Sequence, residues 1–342
     1  MWSGDSLLEK LYNEAVKEHH IQSKRELRNE RRLKLKAALR DSMGHFEPNH
    51  GFVPRLLERV QCEGYVRERV ELSATPELTF AAYILVPDGM MGPLPGVLAI
   101  HGHGYGSREI VGLLKDGTLD KEKPGIHQHF ALQLVKRGMV VIAPDVIGFG
   151  ERRLRADLAL NPDTPSSCYN LSTQLMMLGK TLTGLRVAEA LQAFHYLAAR
   201  PEVDAERIGV MGFSGGGLIG FAASVLESRL QATVLTGFAN TVKDSIFAVR
   251  HCIDNYTPGL LVHAELPELI GLVAPRPLFL ESGEHDPIFP VAGFRKAAAE
   301  IKGIYEAEGA GDKLEIDVFP GVHEISGRLS YDWLKRTLSN GI

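Results

Sequence analysis

The sequence predicts an α/β fold in which helices cover both faces of a mostly parallel central sheet. Short, wholly apolar runs recur along the chain, as in strands that are buried on both faces. Segments of helical period lie between these runs, and strands that alternate with helices favour a parallel sheet. A chain of 342 residues with 44% hydrophobic content can bury such a core without disulfides or metal ions.

Residues 1–48 differ in composition from the rest and predict a helical arm in front of one main domain, residues 49–342. Apolar residues at helical spacing, among them Leu7, Leu8 and Leu11, should form a stripe that is buried against this domain. The alternative is that the arm makes a subunit contact in a homo-oligomer.

After the arm, a hairpin should open the sheet. Alternating apolar residues at 66–72 and a second run at 78–86 predict two antiparallel strands at a sheet edge, joined by a turn at 73–77. The buried strands are predicted at residues 97–100, 139–143, 208–211, 232–235 and 278–280, and a last candidate strand is predicted at residues 314–319. The helices between them are predicted at residues 130–137, 175–199, 218–226 and 294–305.

Composition excludes several classes of protein. The net charge of −4 gives no electrostatic footprint for nucleic acid, and no apolar run approaches the roughly 20 residues that span a bilayer. The N-terminus lacks the pattern of a signal peptide. Three scattered cysteines, Cys62, Cys168 and Cys252, suggest free thiols in a reducing compartment rather than disulfides or a zinc site. We therefore expect a cytoplasmic protein that binds neither nucleic acid nor membrane.

The chemistry should lie at the carboxyl ends of the strands, where parallel sheets hold their active sites. A G-x-S-x-G motif at residues 212–216 follows the strand at 208–211 and precedes a helix-like stretch. A tight strand-to-helix turn lifts the oxygen of Ser214 clear of the backbone, so that it can reach a substrate carbonyl. The alternative is an ordinary glycine-rich turn that binds phosphate at a helix N-terminus.

A serine nucleophile needs a base and an acid that orients the base. In this architecture the order is serine, acid, histidine, and the loops after two later strands supply Asp286 and His323 in that order. Glu284 is the main competitor for the acid. His285 could compete for the base, although it lies in the loop already assigned to the acid.

An oxyanion hole should complete the site. The backbone N–H of Gly215, directly after the nucleophile, can donate to a developing negative oxygen. His103 or Gly104 can supply a second N–H from the glycine-rich loop after the strand at 97–100. A metal site is the alternative interpretation of this region, with four candidate ligands: His101, His103, His127 and His129.

With these motifs in place, the chain resembles the α/β-hydrolase superfamily. More narrowly it is similar to the dienelactone-hydrolase-like and acetyl xylan esterase-like group, which is related to the catalytic domain of prolyl oligopeptidases. The supporting segments are residues 100–104, 143–152, 212–216, 274–277 with 286, and 321–323. The resemblance covers about residues 60–340 and implies a Ser214–His323–Asp286 triad, with oxyanion donors at His103 and Gly215. Dienelactone hydrolases proper carry a cysteine where this chain has Ser214, which favours ordinary carboxylic esters.

Long connections at residues 103–126, 148–172 and 241–272 could shape a pocket at this face. Tyr105, Tyr169 and Phe289 are the candidate substrate-binding walls. We therefore expect a serine esterase that hydrolyses small acyl esters and needs no cofactor and no metal. The alternatives are a peptidase or amidase of the prolyl oligopeptidase type and a catalytically silent binding protein on the same fold.

Overall fold

The computed structural model describes residues 3–90 and 92–339. A single nine-stranded sheet runs through the molecule in the order β1-β2-β3-β5-β4-β6-β7-β8-β9. Its strands are β1 (Arg55–Cys62), β2 (Tyr65–Thr75), β3 (Leu78–Pro87), β4 (Leu94–Ile100), β5 (Val140–Pro144), β6 (Val203–Phe213), β7 (Leu230–Thr236), β8 (Leu278–Gly283) and β9 (Leu314–Phe319). In this spatial order, every neighbouring pair from β5 through β4, β6, β7 and β8 to β9 is parallel. At the other edge β1 pairs antiparallel with β2, β2 with β3, and β3 with β5. The predicted fold class is confirmed.

Eleven helices are present in the described part of the chain. They are α1 (Asp5–Arg25), α2 (Arg28–Met43), α3 (Ser107–Ile110), α4 (Phe130–Val135), α5 (Arg155–Leu160), α6 (Cys168–Met177), α7 (Leu182–Ala198), α8 (Gly215–Leu226), α9 (Leu266–Ile270), α10 (Val291–Ala307) and α11 (Ser330–Ser339). One core lies between the sheet and α2, α7, α8 and α10, and a second core lies on the other face beneath α4 and α11. The described residues include no helix that is both long and apolar enough to cross a bilayer.

Two expectations about strands and helices were wrong in detail. The predicted hairpin is present as β2 and β3, but β1 pairs outside it and forms the edge. The segment at 175–199 is not one helix, because Gly179, at φ 69°, interrupts it. Thr181 then caps α7 with its hydroxyl, which accepts the N–H of Gly184 at 3.0 Å.

The arm is helical as predicted, but its first helix does not bury the expected stripe. Leu7, Leu8 and Leu11 are 58%, 67% and 52% exposed. The second helix makes the buried contacts instead, through Leu35 and Leu39. The apolar period of α1 therefore indicates a helix but does not determine what its apolar residues contact.

Candidate active site

Ser214 lies in the tight turn between β6 and α8, with φ 54° and ψ −120°. A residue with a side chain pays a steric cost for a positive φ, so such a conformation persists only where the surroundings enforce it. Here the N–H of Ser214 donates to the Thr236 carbonyl at 2.9 Å, and its own carbonyl accepts the N–H of Gly217 at 2.8 Å.

The glycines around the serine are required by close approach of the backbone. A Cβ on Gly212 would lie 2.2 Å from the carbonyl oxygen of Gly216. A Cβ on Gly216 would lie 2.1 Å from the carbonyl oxygen of Ile100, on the neighbouring strand. Since these obstacles are backbone atoms, no rotation of a side chain could relieve the clash. The motif therefore lets α8 start directly against the sheet.

The structure brings Ser214, His323 and Asp286 together from three separate loops. The Nε2 atom of His323 is 2.9 Å from the Oγ atom of Ser214, and its Nδ1 atom is 2.7 Å from Oδ2 of Asp286. Asp286 is buried, and its Oδ1 atom accepts the backbone N–H groups of Ile288 and Phe289 at 2.7 and 2.9 Å. These two backbone hydrogen bonds hold the carboxylate in the position in which it contacts the imidazole.

The two competitors lie elsewhere. The side chains of Glu284 and His285 are exposed, and the carboxylate that meets Nδ1 of His323 belongs to Asp286. The backbone N–H groups of these two residues bind the carbonyls of Phe319 and Gly321, at 2.8 and 2.9 Å. This pairing ties the loop after β8 to the loop that carries the histidine.

The proposed oxyanion donors are neighbours. A Cβ on Gly215 would lie 3.5 Å from Nδ1 of His103, so the loop after β4 approaches the start of α8. Neither His103 nor Gly215 donates its backbone N–H to an acceptor among the described residues. The structure therefore brings these two residues close together, and their role as oxyanion donors stays a prediction.

His101 has both ring nitrogens in use. Its Nε2 atom accepts the N–H of Val146 at 3.0 Å, and its Nδ1 atom lies 2.7 Å from the carbonyl oxygen of Gly102. Complete burial lowers the pKa of His101 to about 3, because desolvation disfavours the charged imidazolium. This histidine is a neutral structural residue that joins two loops.

The other histidines of the predicted metal alternative also point to separate partners. His127 accepts the N–H of Gly102 with Nε2 at 3.1 Å, and its Nδ1 lies 3.0 Å from a carboxylate oxygen of Glu109. His129 places Nε2 3.0 Å from a carboxylate oxygen of Asp120. These contacts do not support the site of four histidines.

The side chain of His103 faces a group of residues that sequence reasoning missed. Its Nε2 atom, the Sγ atoms of Cys168 and Cys252, and a carboxylate oxygen of Asp254 all lie within 4.8 Å of one another. Burial alone would raise the pKa of Asp254, but the charges of Arg186 and His103 hold it at about 2. The only sequence signal was that both cysteines lie in the long connections, where they were interpreted as scattered thiols.

The three predicted pocket walls have different surroundings. Tyr105 lines a cavity of about 790 Å³ together with His103 and Phe149, and its hydroxyl donates to the Leu113 carbonyl at 2.9 Å. Phe289 is buried, and its ring stacks on His323 at a centroid distance of 5.8 Å. Tyr169 lies on α6 and is 68% exposed.

A family model described as the Abhydrolase family matches residues 5–317 of the chain. The match includes Ser214 and Asp286 and ends six residues before His323. The protein YtaP of Bacillus subtilis (strain 168), provisionally named a hydrolase, is 29% identical over 240 residues, which cover 68% of this chain and 73% of that protein.

Solved structures share the fold at low sequence identity. A protein of Bacteroides fragilis NCTC 9343, provisionally named an acetyl xylan esterase, superposes with a TM-score of 0.78 at 19% identity, over 98% of this chain and 95% of that one. A glucuronoyl esterase from Solibacter usitatus gives 0.64 at 15% identity, over 90% of each chain. Acetyl xylan esterase 1 from Thermoanaerobacterium sp. JW/SL YS485 gives 0.57 at 19% identity, over 90% of this chain and 93% of that one.

Proposed function

The chain belongs to the Abhydrolase family, and from that premise we propose that it is a serine esterase that hydrolyses small carboxylic esters through an acyl-enzyme. One observation carries the proposal: His323 lies between Ser214 Oγ at 2.9 Å and Asp286 Oδ2 at 2.7 Å. This is the geometry in which an imidazole takes the serine proton while a carboxylate holds its tautomer.

In the first half of the reaction, Ser214 Oγ attacks the ester carbonyl carbon and its proton passes to His323 Nε2. The carbonyl electron pair moves onto oxygen, where the N–H groups of His103 and Gly215 stabilise the negative charge. Collapse of the tetrahedral intermediate breaks the bond to the alcohol, which leaves with the proton from His323. The acyl group is then bound to Ser214.

Water completes the cycle by the same route. His323 takes a proton from water, the hydroxide attacks the acyl carbon, and collapse returns the proton to Ser214 and releases the carboxylic acid. Asp286 stabilises the imidazolium that forms in each half. Its buried position and its two backbone N–H donors suit that role.

The relatives favour esters over amides as substrates. Two of the structural neighbours are named as acetyl xylan or glucuronoyl esterases, and a third is provisionally so named. The cavity of about 790 Å³ beside His103 has room for a small ester, and Tyr105 forms part of its wall. We place this small-molecule chemistry in the cytoplasm, in keeping with cysteines that are all free among the described residues.

The test is covalent labelling joined to turnover. The wild-type protein should react with a fluorophosphonate at Ser214 and hydrolyse p-nitrophenyl acetate, and it should prefer esters to matched amides. Ser214→Ala should lose both properties and cost about 10⁴–10⁶-fold in kcat, with an unchanged circular dichroism spectrum. A folded variant that keeps more than a tenth of the activity would overturn the assignment of the nucleophile.

A further inference from the structure

Beside the proposed active site, three loops bring together four metal-ligating side chains that the triad does not use. His103 comes from the loop after β4, Cys168 from the start of α6, and Cys252 and Asp254 from the insertion between β7 and β8. One nitrogen, two sulfur atoms and one carboxylate oxygen lie within 4.8 Å of one another.

The spacing of these atoms fits a tetrahedral ion. With Zn–N, Zn–S and Zn–O bonds of roughly 2.0–2.3 Å, the ligand atoms of a tetrahedral site lie about 3.3–3.8 Å apart. The Oδ2 atom of Asp254 is 3.5 Å from Nε2 of His103 and 3.4 Å from Sγ of Cys168. The remaining pairs, all within 4.8 Å, need at most about 1 Å of adjustment.

The imidazole of His103 gives independent support for a ligand. Its Nε2 atom is buried and has no hydrogen-bond partner among the described residues. Buried polar atoms of native proteins are nearly always hydrogen-bonded, so a buried nitrogen that lies 3.5 Å from a carboxylate oxygen of Asp254 without such a bond calls for an explanation. A bound ion supplies one, because it accepts the lone pair of neutral Nε2.

Arg186 balances the charge of such a site. It is buried, and it donates to Asp254 Oδ2 at 2.5 Å and to Cys168 Sγ at 3.2 Å. The guanidinium of Arg186 can therefore offset the negative charge of the Asp254 carboxylate and of a ligating sulfur atom. N–H donors to ligating sulfur and carboxylate atoms are typical outer-shell contacts of a metal site.

The ligand types select the ion. Two thiolates with one imidazole suit zinc and similar transition metals, whereas magnesium and calcium prefer sites made of oxygen. His103 also lines the cavity of about 790 Å³, so one of the four ligand residues borders that cavity. We propose that His103, Cys168, Cys252 and Asp254 bind one zinc-class divalent ion behind the loop that carries a predicted oxyanion donor.

The experiment uses the full-length protein, reduced with a phosphine and freed of metal by a chelator. Cobalt(II) chloride is titrated in without oxygen, and absorption is recorded in the near ultraviolet and the visible. We expect thiolate-to-cobalt charge-transfer bands and intense tetrahedral d–d bands that saturate at one ion per chain. Zinc chloride should displace the cobalt, because the site should bind zinc more tightly.

The variants identify the ligands. Cys252→Ala and Cys168→Ser should each weaken cobalt binding at least about 100-fold and remove part of the charge-transfer absorption. Cys62→Ser is the matched control, because Cys62 is the last residue of β1 and does not belong to the cluster. This variant should bind cobalt like the wild type. Cys168 is fully buried, and its substitution could prevent folding. In that case Cys252→Ala, at a half-buried position, tests the proposed site.

Three results would overturn the proposal. The first is the absence of charge-transfer bands in the reduced wild-type protein. The second is binding that persists unchanged in Cys252→Ala. The third is a Cys168–Cys252 disulfide that resists the phosphine. Each result is independent of fluorophosphonate labelling at Ser214, which tests the proposed esterase.

Discussion

Asp286 and Glu284 are two residues apart, yet the structure gives them opposite surroundings. Asp286 is buried and bonded to His323, whereas Glu284 is exposed. Asp286→Asn should lower kcat about 10⁴-fold, because an amide stabilises the wrong imidazole tautomer and cannot balance the imidazolium. Glu284→Gln should change kcat less than about twofold. Steady-state kinetics on p-nitrophenyl acetate checks both, and a reversal of the two effects would transfer the acid role to Glu284.

His101 makes the stability of the fold sensitive to acid. Burial holds its folded-state pKa at about 3, against 6.5 for an ordinary histidine. As the pH falls below 6.5, the unfolded chain takes up a proton that the folded chain refuses, so the free energy of unfolding falls. Between pH 7 and pH 5 this residue alone should cost about 2 kcal/mol.

The matched variant for this effect is His101→Asn, which keeps a donor and an acceptor but does not titrate. Urea unfolding at pH 7 and pH 5 should show a drop in stability that is about 2 kcal/mol smaller for the variant than for the wild type. The comparison uses only the change with pH, so a lower absolute stability of the variant does not matter. Equal drops would show that His101 is protonated in the folded protein.

At the scale of elements, the turn between β6 and α8 depends on glycine at particular positions. Gly216→Ala should destabilise the protein by several kcal/mol or prevent folding, because the new Cβ would meet the backbone oxygen of Ile100 at 2.1 Å. Gly220→Ala, one turn further along α8, is the control. Its Cβ would meet its nearest neighbour, Val210 Cγ2, at 3.4 Å, so the better helix former should be neutral or stabilising by up to about 1 kcal/mol.

Thermal and urea unfolding of the two alanine variants provides the measurement. Similar stabilities for both would show that the sheet and α8 can separate at no cost. The turn would then not hold Ser214 in its positive-φ conformation. Kinetics on the same samples tests whether the serine stays aligned with His323 when the turn is disturbed.

The observed strands and helices show which elements the sequence patterns predict and which they miss. The five buried strands from β4 to β8 were predicted within a few residues, because wholly apolar runs have few alternatives to the interior of a sheet. The edge strand β1 was missed, since its residues are mostly exposed and show no clear alternation. The break before α7 was also missed, because a left-handed glycine followed by a capping threonine is a weak signal inside a long helical period.

At the scale of the whole molecule, the two helices of the arm should contribute unequally. In α2, the buried Arg31 forms an ion pair with the half-buried Glu268 at 2.7 Å, and Leu39 is buried in the core. The leucines at the start of α1 are mostly exposed. We propose that residues 1–48 stabilise the catalytic domain, 49–342, mainly through α2. Homo-oligomer formation through the arm stays a prediction.

Two truncations test this division. Removal of residues 1–26 should change the melting temperature by a few degrees at most and leave fluorophosphonate labelling intact. Removal of residues 1–44 should lower it strongly, because each buried leucine that is lost costs about 2–5 kcal/mol. The substitutions Leu39→Ala and Leu33→Ala repeat the contrast without truncation, since Leu33 is 70% exposed. If the shorter truncation abolished labelling of a folded protein, the proposed division would be wrong.

The sequence by itself determined the fold class, the positions of the buried strands, and the serine and histidine of the proposed triad. These features are readable because apolar period and turn residues are local, and because parallel strands place their carboxyl ends at one edge of the sheet. The tertiary structure alone decided which acid meets His323 and which arm helix is buried. It also decided that Cys168 and Cys252, far apart in the chain, lie beside His103. Such contacts depend on the way in which the long loops fold over the sheet. The spacing of residues along the chain does not determine how these loops fold.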